Sequence, residues 1–481
     1  MTHPQSPTSA DIGIIGLGVM GANLGLNIAE QGFSVVGYDR NPEKGTRLAQ
    51  MAQEQLPKGA SVEACNDIQS LIASLRQPRI ILLLVPAGDP VDGVIQDLGP
   101  CLEQGDILID GGNSHFRDTD RRIQTLAQQN IHFVGMGVSG GEDGARHGPS
   151  MMPGGDSTAW ERLRPMLEAA AAKVGEEPCV DWLGRGSAGH YVKMVHNGIE
   201  YSLMQLITES YDLMYRGLGL SHEKMHPIYE SWAQGPMGGF LLEITADILL
   251  QRDPLGEGYL LDNILDTAHQ KGTGQWTSQE SFTLQTPTPL IDIAVTQRVL
   301  SAIKAQRQQA SQLLKGPSEM MPVHREAFLT QLGNALQMAM QLTYAQGMHL
   351  LQVANQHYDY HLSLETVTRI WRGGCIIRSQ LLEQLRAVYQ RDPSLINPIL
   401  DTTYAATIAQ NHADLREVVC AASYWGIPAP GLMTALSYYD SYRGAWLPAN
   451  LLQAQRDYFG GHTFQRTDRE GNFHVEWSKN K

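Results

Sequence analysis

Short apolar runs alternate with helix-length segments along the first part of the chain. The runs are IGII at 12–15, SVVGY at 34–38, IILLLV at 80–85, ILID at 107–110 and HFVG at 132–135. Continuous apolar strands are typical of a parallel sheet that is buried on both faces. Residues 1–187 are therefore predicted to form a doubly wound α/β domain.

The hydrophobic pattern changes after residue 187, where apolar positions recur with the helical period of 3.6 residues. Long helices are predicted at 190–216, 290–313, 325–356 and 375–390. We therefore expect residues 188–445 to form a large all-α domain. Residues 446–481 mix glycine, aromatic and charged side chains, and they are predicted to form a tail that packs on something other than its own core.

Two parts of the predicted helical domain resemble each other weakly. HNGIEYSLMQL is followed by SW and AQG, and GNALQMAMQL is followed by IW and RGG. This similarity is consistent with an internal duplication. The second copy has Thr330 near the position of Lys193 and Gln337 near that of Glu200. If the repeat is real, the polar line is not needed to build the fold.

Composition and charge narrow the classes of function. The chain has 481 residues, which predicts two or three domains, and its 42% apolar and 18% charged content is typical of a folded protein. A net charge of −14 argues against broad binding to nucleic acid or to an anionic membrane. The first residues lack the apolar segment of a signal peptide, and the longest clean apolar run is too short to span a membrane.

The cysteines are widely spaced and form neither a C-x-x-C pair nor a metal-ligand pattern. Such a scattered set predicts free thiols in a reducing compartment, and a cytoplasmic location is expected. No metal site is predicted. The cysteines are Cys65, Cys101, Cys179, Cys375 and Cys420.

A glycine-rich turn directly follows the first predicted strand and begins a helix. Gly16 permits a tight turn, Gly18 lets a pyrophosphate approach the backbone, and Gly21 allows the helix to pack on the strand. A second strand ends at Asp39, about 20 residues on, where such folds carry an acidic residue. This context predicts a Rossmann-type dinucleotide site rather than a turn with a structural role alone.

The choice of dinucleotide stays open from these residues. Asp39 would accept hydrogen bonds from a ribose 2′-hydroxyl, which favours NAD. Arg40 could bind a 2′-phosphate, which favours NADP, although a solvated surface charge is the alternative.

The helix predicted at 190–216 carries a line of polar side chains. Lys193, His196, Asn197 and Glu200 fall at i, i+3, i+4 and i+7, which is one face of a helix. A desolvated lysine can remove the hydroxyl proton when a hydroxy acid is oxidised, and a carboxyl group can protonate the carbon left after loss of CO2. The alternatives are ordinary surface pairs or a buried structural network.

Further candidate groups lie in three glycine-rich loops. Asn113 follows the strand ILID and could contact both cofactor and substrate, while Ser139-Gly140-Gly141 follows HFVG and could bind a carboxylate. Lys271 and Thr273 form a candidate phosphate clamp. Each loop could also be a simple connector, and Arg298 alone would be interpreted as a solvated charge.

Seven segments in order together resemble the family of decarboxylating 6-phosphogluconate dehydrogenases. They are GLGVMGANLGLNIAEQG, GGNSHFRDTDRR, GVSGGEDGARHGPSMMPGG, GHYVKMVHNGIEY, KGTGQWT, CIIRSQLL and PANLLQAQRDYFGGHTFQR. The resemblance runs from about residue 11 to 477. It implies oxidative decarboxylation of 6-phospho-D-gluconate to D-ribulose 5-phosphate and CO2, with reduction of NADP or NAD and without a metal, in the oxidative pentose phosphate pathway.

The resemblance also implies roles for individual residues. Lys193 would be the general base and Glu200 the general acid. Substrate contacts would be made by Asn113, Ser139, Gly140, Gly141, His196, Asn197, Tyr201, Lys271, Thr273 and Arg298. Cofactor contacts would be made by Gly16, Leu17, Gly18, Val19, Met20, Gly21, Asp39, Arg40, Asn41, Val85, Pro86, Ala87 and Asn113. The family is homodimeric, and the tail would place Arg456 and His462 in the partner's phosphate site.

Three departures from the NADP-using members of the family concern the cofactor. Those members typically have Asn-Arg-Thr after the second strand, where this chain has DRN at 39–41. They often have alanine at the position of Gly18, and they commonly have Val-Lys-Ala where this chain has VPA at 85–87. Arg40 keeps NADP as the first choice, and NAD stays open because Asp39 should repel a 2′-phosphate.

Two other functions compete with this interpretation. A β-hydroxyacid dehydrogenase that acts on an unphosphorylated acid would share the glycine turn and the helical lysine, but it would not need Lys271, Arg298, Arg456 and His462 together. A non-catalytic dinucleotide sensor would be expected to lack the lysine–glutamate pair or the basic clamp.

Overall fold

The computed structural model describes residues 9–317 and 322–477. Most of the amino-terminal segment from which the lack of a signal peptide was inferred, and the last four residues of the predicted tail, lie outside these ranges. No helix within the described ranges is long and apolar enough to span a membrane.

A seven-stranded sheet forms the centre of the first part of the chain, in the order β3-β2-β1-β4-β5-β6-β7. All neighbouring strands are parallel except β7, which runs antiparallel to β6. The strands are β1 Ile12–Ile15, β2 Val35–Tyr38, β3 Val62–Ala64, β4 Ile80–Leu83, β5 Ile107–Asp110, β6 His132–Ser139 and β7 Ser150–Gly154.

Helices cover both faces of this sheet, which confirms the predicted doubly wound fold. They are α1 Val19–Glu30, α2 Pro42–Gln55, α3 Ile68–Ala73, α4 Asp89–Leu98, α5 Phe116–Ala127, α6 Gly141–His147 and α7 Ser157–Ala170. A 3₁₀ turn, Gly99–Cys101, follows α4, and a small hairpin, β8 Lys173–Val174 and β9 Glu177–Pro178, follows α7. Two separate apolar clusters fill the space between the sheet and the helices.

Helices dominate the chain from residue 188 to 442, as the period of the apolar positions predicted. They are α8 Ala188–Asp212, α9 His222–Gln234, α10 Phe240–Leu250, α11 Leu260–Asn263, α12 Thr273–Thr283, α13 Pro289–Ala302, α14 Lys304–Leu313, α15 Arg325–Tyr358, α16 Leu364–Ile370, α17 Leu381–Arg391, α18 Thr402–Gln410, α19 His412–Trp425 and α20 Pro430–Tyr442. A π-helical turn, Leu213–Gly217, extends α8, and a 3₁₀ turn, Pro398–Leu400, precedes α18. One apolar cluster, with side chains from α8 and α15 among its members, forms the core of this region.

Three details of the predicted elements were wrong. The helix expected at 290–313 is two helices, α13 and α14, which are separated at Ile303. The helix expected at 375–390 begins at Leu381, because residues 374–379 make a non-helical connection: the carbonyl of Gly374 accepts from Ser150 N–H, and Gly239 pairs with Ser379. Strand β6 extends past the predicted HFVG because its second half pairs with β7. The apolar runs did not predict β3, an exposed edge, or β7, which contains a proline.

Helix α8 lies directly against β6 and β7, and glycine makes this close approach possible. A Cβ on Gly189 would lie 2.2 Å from the carbonyl oxygen of Gly135, and a Cβ on Gly154 would lie 2.3 Å from the nitrogen of Gly189. Packing helix backbone on strand backbone brings the polar line of α8 to the carboxyl end of β6.

The tail contains α21 Ala449–Gly460, β10 Phe464–Gln465 and β11 Asn472–Phe473. Asp457 is buried and holds this segment together by accepting hydrogen bonds from Thr463 N–H, Val475 N–H and Trp477 Nε1. Many of its apolar side chains are exposed: Trp446, Leu451, Leu452, Tyr458 and Phe459.

Candidate active site

A cleft of about 1260 Å³ lies between the carboxyl edge of the sheet and the helical region. The predicted residues that line it are Gly16, Gly18, Val19, Met20, Gly21, Asp39, Arg40, Val85, Pro86, Ala87, Asn113, Ser139, Gly140, Gly141, Lys193, Asn197, Glu200, Tyr201, Lys271, Thr273 and Arg298. Among the described residues, the predicted ones outside its lining are Leu17, Asn41, His196, Arg456 and His462.

The glycine turn has the geometry of a phosphate cradle. Gly16 has φ +97°, and a Cβ there would lie 2.5 Å from the carbonyl oxygen of Leu84. A Cβ on Gly21 would lie 2.0 Å from the carbonyl oxygen of Gly16, so both positions require glycine. Gly18 precedes α1 and has open space where its Cβ would be. The free N–H groups of this helix end fit a dinucleotide pyrophosphate.

Asp39 is not a free acceptor for a ribose hydroxyl. One carboxylate oxygen accepts from Asn41 N–H at 2.9 Å, and the other accepts from Leu17 N–H at 2.8 Å and from Lys44 Nζ at 3.0 Å. Burial acts to raise the pKa of Asp39, but these hydrogen bonds and the Lys44 charge outweigh it and hold the pKa below its ordinary value. Asp39 is therefore an ion-paired carboxylate that connects the glycine turn to the start of α2.

The structure adds a second cation to this end of the cleft. Lys44 lines it together with Arg40, whose guanidinium is exposed and pairs with Asp97 at 3.2 Å. Sequence reasoning missed Lys44, although it lies on α2, directly after the strand that ends beside Asp39.

Lys193 is buried, with 6% of its surface exposed, yet it lines the cleft. Its Nζ donates to Asn197 Oδ1 at 2.8 Å and lies 3.3 Å from His196 Nδ1. Burial lowers the pKa of this amine, against the opposing charge of Glu200. Lys193 thus has the environment that a lysine base needs.

Glu200 lies two turns further along α8 and lines the same cleft. Burial raises the pKa of its carboxyl group, although the charges of Lys193 and Arg298 oppose the shift. A carboxyl with a raised pKa is suited to donating a proton near neutral pH.

His196 lies behind the cleft surface. It is fully buried, its Nε2 lies 3.2 Å from Ser139 Oγ, and its ring packs edge-on against Trp371 at 5.5 Å. Burial and the neighbouring Lys193 lower its pKa well below the ordinary value. The polar line therefore divides into cleft-facing groups and a neutral histidine that connects Lys193 to the Ser139 loop.

The loops after β5 and β6 contribute the groups predicted from their position. Asn113 is exposed to the cleft, and Gly140 and Gly141 both have positive φ, at +115° and +64°. Ser139 also accepts, at 3.4 Å, the N–H of Ile376 from the helical region. Ile376 lines the cleft as well, and no local sequence signal singled it out.

The predicted phosphate-binding groups come from the start of α12 and from α13. Gly272, with φ +92°, lies between Lys271 and the buried Thr273 at the start of α12. Arg298 of α13 lies over the ring of Tyr201, 3.6 Å from its centre, and donates to the carbonyl of His269. Arg298 is thus a positioned cation beside the clamp rather than a solvated charge.

The tail residues of the predicted phosphate site do not reach the cleft of their own chain. Arg456 is exposed and donates to Gln453 at 3.2 Å, and His462 is exposed beside the ring of Phe459. Among the described residues, no group of histidine, cysteine or acidic side chains is arranged to hold a metal ion.

Two family models match consecutive parts of the chain. The NAD binding domain of 6-phosphogluconate dehydrogenase matches residues 11–184, and the 6-phosphogluconate dehydrogenase C-terminal domain matches residues 189–477.

Similar proteins cover nearly the whole chain. The NADP(+)-dependent, decarboxylating 6-phosphogluconate dehydrogenase of Bacillus subtilis is 48% identical over 97% of this chain and 99% of its own length. The decarboxylating enzyme of Drosophila melanogaster is 48% identical over 98% of this chain and 96% of its own. A solved 6-phosphogluconate dehydrogenase from Plasmodium falciparum, studied in its apo form and with NADP+ or 6-phosphogluconate, has a TM-score of 0.93 and 41% identity, covering 97% of this chain and 100% of that one.

Proposed function

Because the chain belongs to the 6-phosphogluconate dehydrogenase family, we propose that it oxidatively decarboxylates 6-phospho-D-gluconate to D-ribulose 5-phosphate and CO2 with reduction of NADP. The observation that carries this proposal is one cleft lined by the glycine turn, by Lys193 and Glu200, and by the clamp residues Lys271 and Thr273 with Arg298 beside them. We place the reaction in the oxidative pentose phosphate pathway and the enzyme in the cytoplasm.

The residues at the adenosine end of the cleft fit NADP despite the acidic residue. The Asp39 carboxylate already accepts from two backbone N–H groups and from Lys44, so little of its charge is left to repel a phosphate. Arg40 and Lys44 both line the cleft there, paired with Asp97 and Asp39, and their remaining N–H groups can donate to a 2′-phosphate. Gly16, Gly18 and Gly21 would hold the pyrophosphate.

Lys193 acts as the general base in this proposal. The dinucleotide, when held at the glycine turn, would supply the hydride acceptor, and oxidation of the substrate carbon also requires removal of its hydroxyl proton. The buried Lys193 amine, with its lowered pKa, has a neutral fraction that can take this proton. Asn197 holds the amine in place through its 2.8 Å hydrogen bond.

Glu200 acts as the general acid. Loss of CO2 leaves an enediol that needs a proton on carbon. The raised pKa of Glu200 keeps a protonated fraction of this carboxyl available, and its place on α8 beside the clamp puts it within the substrate cleft.

The remaining polar groups are assigned to substrate binding. Asn113, the Ser139–Gly141 loop and Asn197 would bind the carboxylate and hydroxyl groups, with His196 acting from behind through Ser139. Lys271, Thr273 and Arg298 would bind the phosphate, assisted by Arg456 and His462 of a partner subunit. The exposed apolar side chains of the tail support this homodimer, because they require a covering surface.

The test is reduction of NADP and NAD, run in parallel, with 6-phosphogluconate and with unphosphorylated gluconate. We expect NADP reduction with release of CO2 from the phosphorylated acid alone. Oxidation of gluconate at a comparable kcat/KM would favour the unphosphorylated-acid alternative. A wild-type protein that binds NADP but reduces none would favour the non-catalytic sensor.

A further inference from the structure

One turn before Lys193, helix α8 carries a second buried histidine that the proposed chemistry does not use. His190 is 1% exposed, and its ring crosses β6 to reach β5. The crossing is possible because residue 135 is glycine: a Cβ there would lie 2.8 Å from His190 Nδ1.

Both ring nitrogens of His190 have a fixed partner. Nε2 lies 3.0 Å from the backbone carbonyl oxygen of Asp110, which can only accept, so Nε2 carries the proton. Nδ1 then accepts from Thr119 Oγ1 at 2.7 Å. Burial lowers the pKa of His190, which favours the neutral ring, and its two partners select this tautomer.

The partner carbonyl belongs to the last residue of β5, immediately before the loop that carries Asn113. The Asp110 carboxylate sets the shape of that loop by accepting from Gly112 N–H at 3.0 Å and from Ser114 Oγ at 2.6 Å. His190 therefore connects the helix of the proposed base to the root of the loop of Asn113.

The connection continues to the loop after β4. The Arg122 guanidinium is 2% exposed and donates to Asp110 at 3.4 Å, to Asp92 at 2.8 Å and to the carbonyl of Gly88 at 3.0 Å. These bonds fix the segment after Ala87 relative to Asp110. The loops after β4 and β5 are thereby joined to α8 through buried hydrogen bonds.

We propose that His190 is a positioning residue, whose hydrogen bond to the Asp110 carbonyl sets the distance between Lys193 and the Asn113 loop. This inference rests on the proposed function. Removing the bond leaves a buried carbonyl without its donor and lets α8 move relative to the loop, by an amount that proximity effects make costly.

The test compares three variants of the full-length enzyme with saturating NADP. Glutamine places an N–H donor near the position of Nε2, asparagine reaches only the Nδ1 side, and leucine has neither. We expect His190→Leu and His190→Asn to lower kcat about tenfold with little change in KM for 6-phosphogluconate, and His190→Gln to recover most of the loss. His132→Leu, at the far end of β6 where the ring bonds to Asp156, is the matched control and should keep wild-type kcat.

A second measurement separates positioning from general loss of folded protein. With 6-phosphogluconate deuterated at the oxidised carbon, misplacement of the base should increase the isotope effect on kcat in His190→Asn above that of His190→Gln. Equal kcat and equal isotope effects in these two variants would overturn the proposal, and so would wild-type kcat in His190→Leu. If His190→Leu does not fold, the Asn–Gln comparison decides. Failure of the wild type to oxidise 6-phosphogluconate would instead refute the proposed function.

Discussion

A close contact between β6 and α8 lies directly at Lys193, and a single methyl group tests it. A Cβ at position 137 would lie 2.4 Å from Lys193 Cβ and 2.7 Å from its Cγ. Carbon atoms normally approach to about 3.5 Å, so Gly137→Ala requires a displacement of about 1 Å. Lys193 cannot avoid the contact by rotating its side chain, because the clash involves the atom attached to its backbone. Helix α8 must move.

The displacement sets the expected magnitude of the effect. A misplacement of about 1 Å in a catalytic group lowers kcat about 100-fold, and overpacking of this kind destabilises a fold by about 1–3 kcal/mol. We expect both effects in Gly137→Ala, while the dissociation constant for NADP changes little because the glycine turn is remote from the contact. The measurements are kcat at saturating substrate, urea unfolding and NADP binding by fluorescence.

Gly93→Ala in α4 is the matched control, because a Cβ there meets nothing within 4 Å. It should keep wild-type kcat and gain slightly in stability, since alanine favours a helix over glycine. Wild-type kcat and an unchanged unfolding midpoint in Gly137→Ala would refute the claim that backbone packing places the base.

Four further outcomes concern Lys193, Glu200, the tail and Glu209. Lys193→Ala should abolish turnover while NADP binding persists, and normal turnover would contradict its assignment as the base. The wild type should have a bell-shaped pH profile of kcat, because the pKa of the amine is lowered and the pKa of the carboxyl is raised. Glu200→Gln should lose one limb of this profile, and an intact bell would contradict its assignment as the acid. Truncation before Arg456 should raise KM for 6-phosphogluconate and weaken the dimer in sedimentation, whereas a fully active monomer would exclude the shared site. Burial raises the pKa of Glu209 to about 7, above its value in the unfolded chain, so between about pH 4.5 and 7 the folded state keeps a proton that the unfolded state has released. The free energy of unfolding should therefore fall as pH rises through this window. In Glu209→Gln, urea unfolding should lack this part of the pH dependence.

The preference for NADP over NAD can be tested at Lys44. Lys44→Ala should raise KM for NADP more than KM for NAD, since it removes a cation from the cleft and exposes the charge of Asp39. Lys58→Ala, an exposed lysine outside the cleft lining, is the control. Equal changes for both cofactors would refute a role for Lys44 in selecting the phosphate.

Two parts of the site could be predicted from the sequence, because the residues that form each of them are close together along the chain. The glycine turn depends on neighbours within one strand–turn–helix unit, and the polar line of α8 depends on helical spacing alone, so both could be found from the sequence. The family resemblance supplied Arg298, which no local pattern distinguished from a surface charge.

Contacts between distant segments could not be predicted in this way. The Asp39 carboxylate is bound by Lys44 and by the N–H of Leu17. In the sequence Asp39 favours NAD, and only the folded chain shows that its carboxylate is already ion-paired. His196 and Glu200 share one helical face in sequence, yet packing against Trp371 places the histidine behind the wall and leaves the glutamate in the cleft.

Because Lys193 and Glu200 both belong to the uninterrupted α8, the spacing between them is set within one helix and does not depend on how α8 packs against the sheet. A shift of α8 on β6 would alter the distance of this pair from the dinucleotide turn, but it would leave the gap between the proposed base and the proposed acid unchanged. Substitutions at the contact between α8 and β6 should therefore change the proposed oxidation step more than the proposed protonation of carbon.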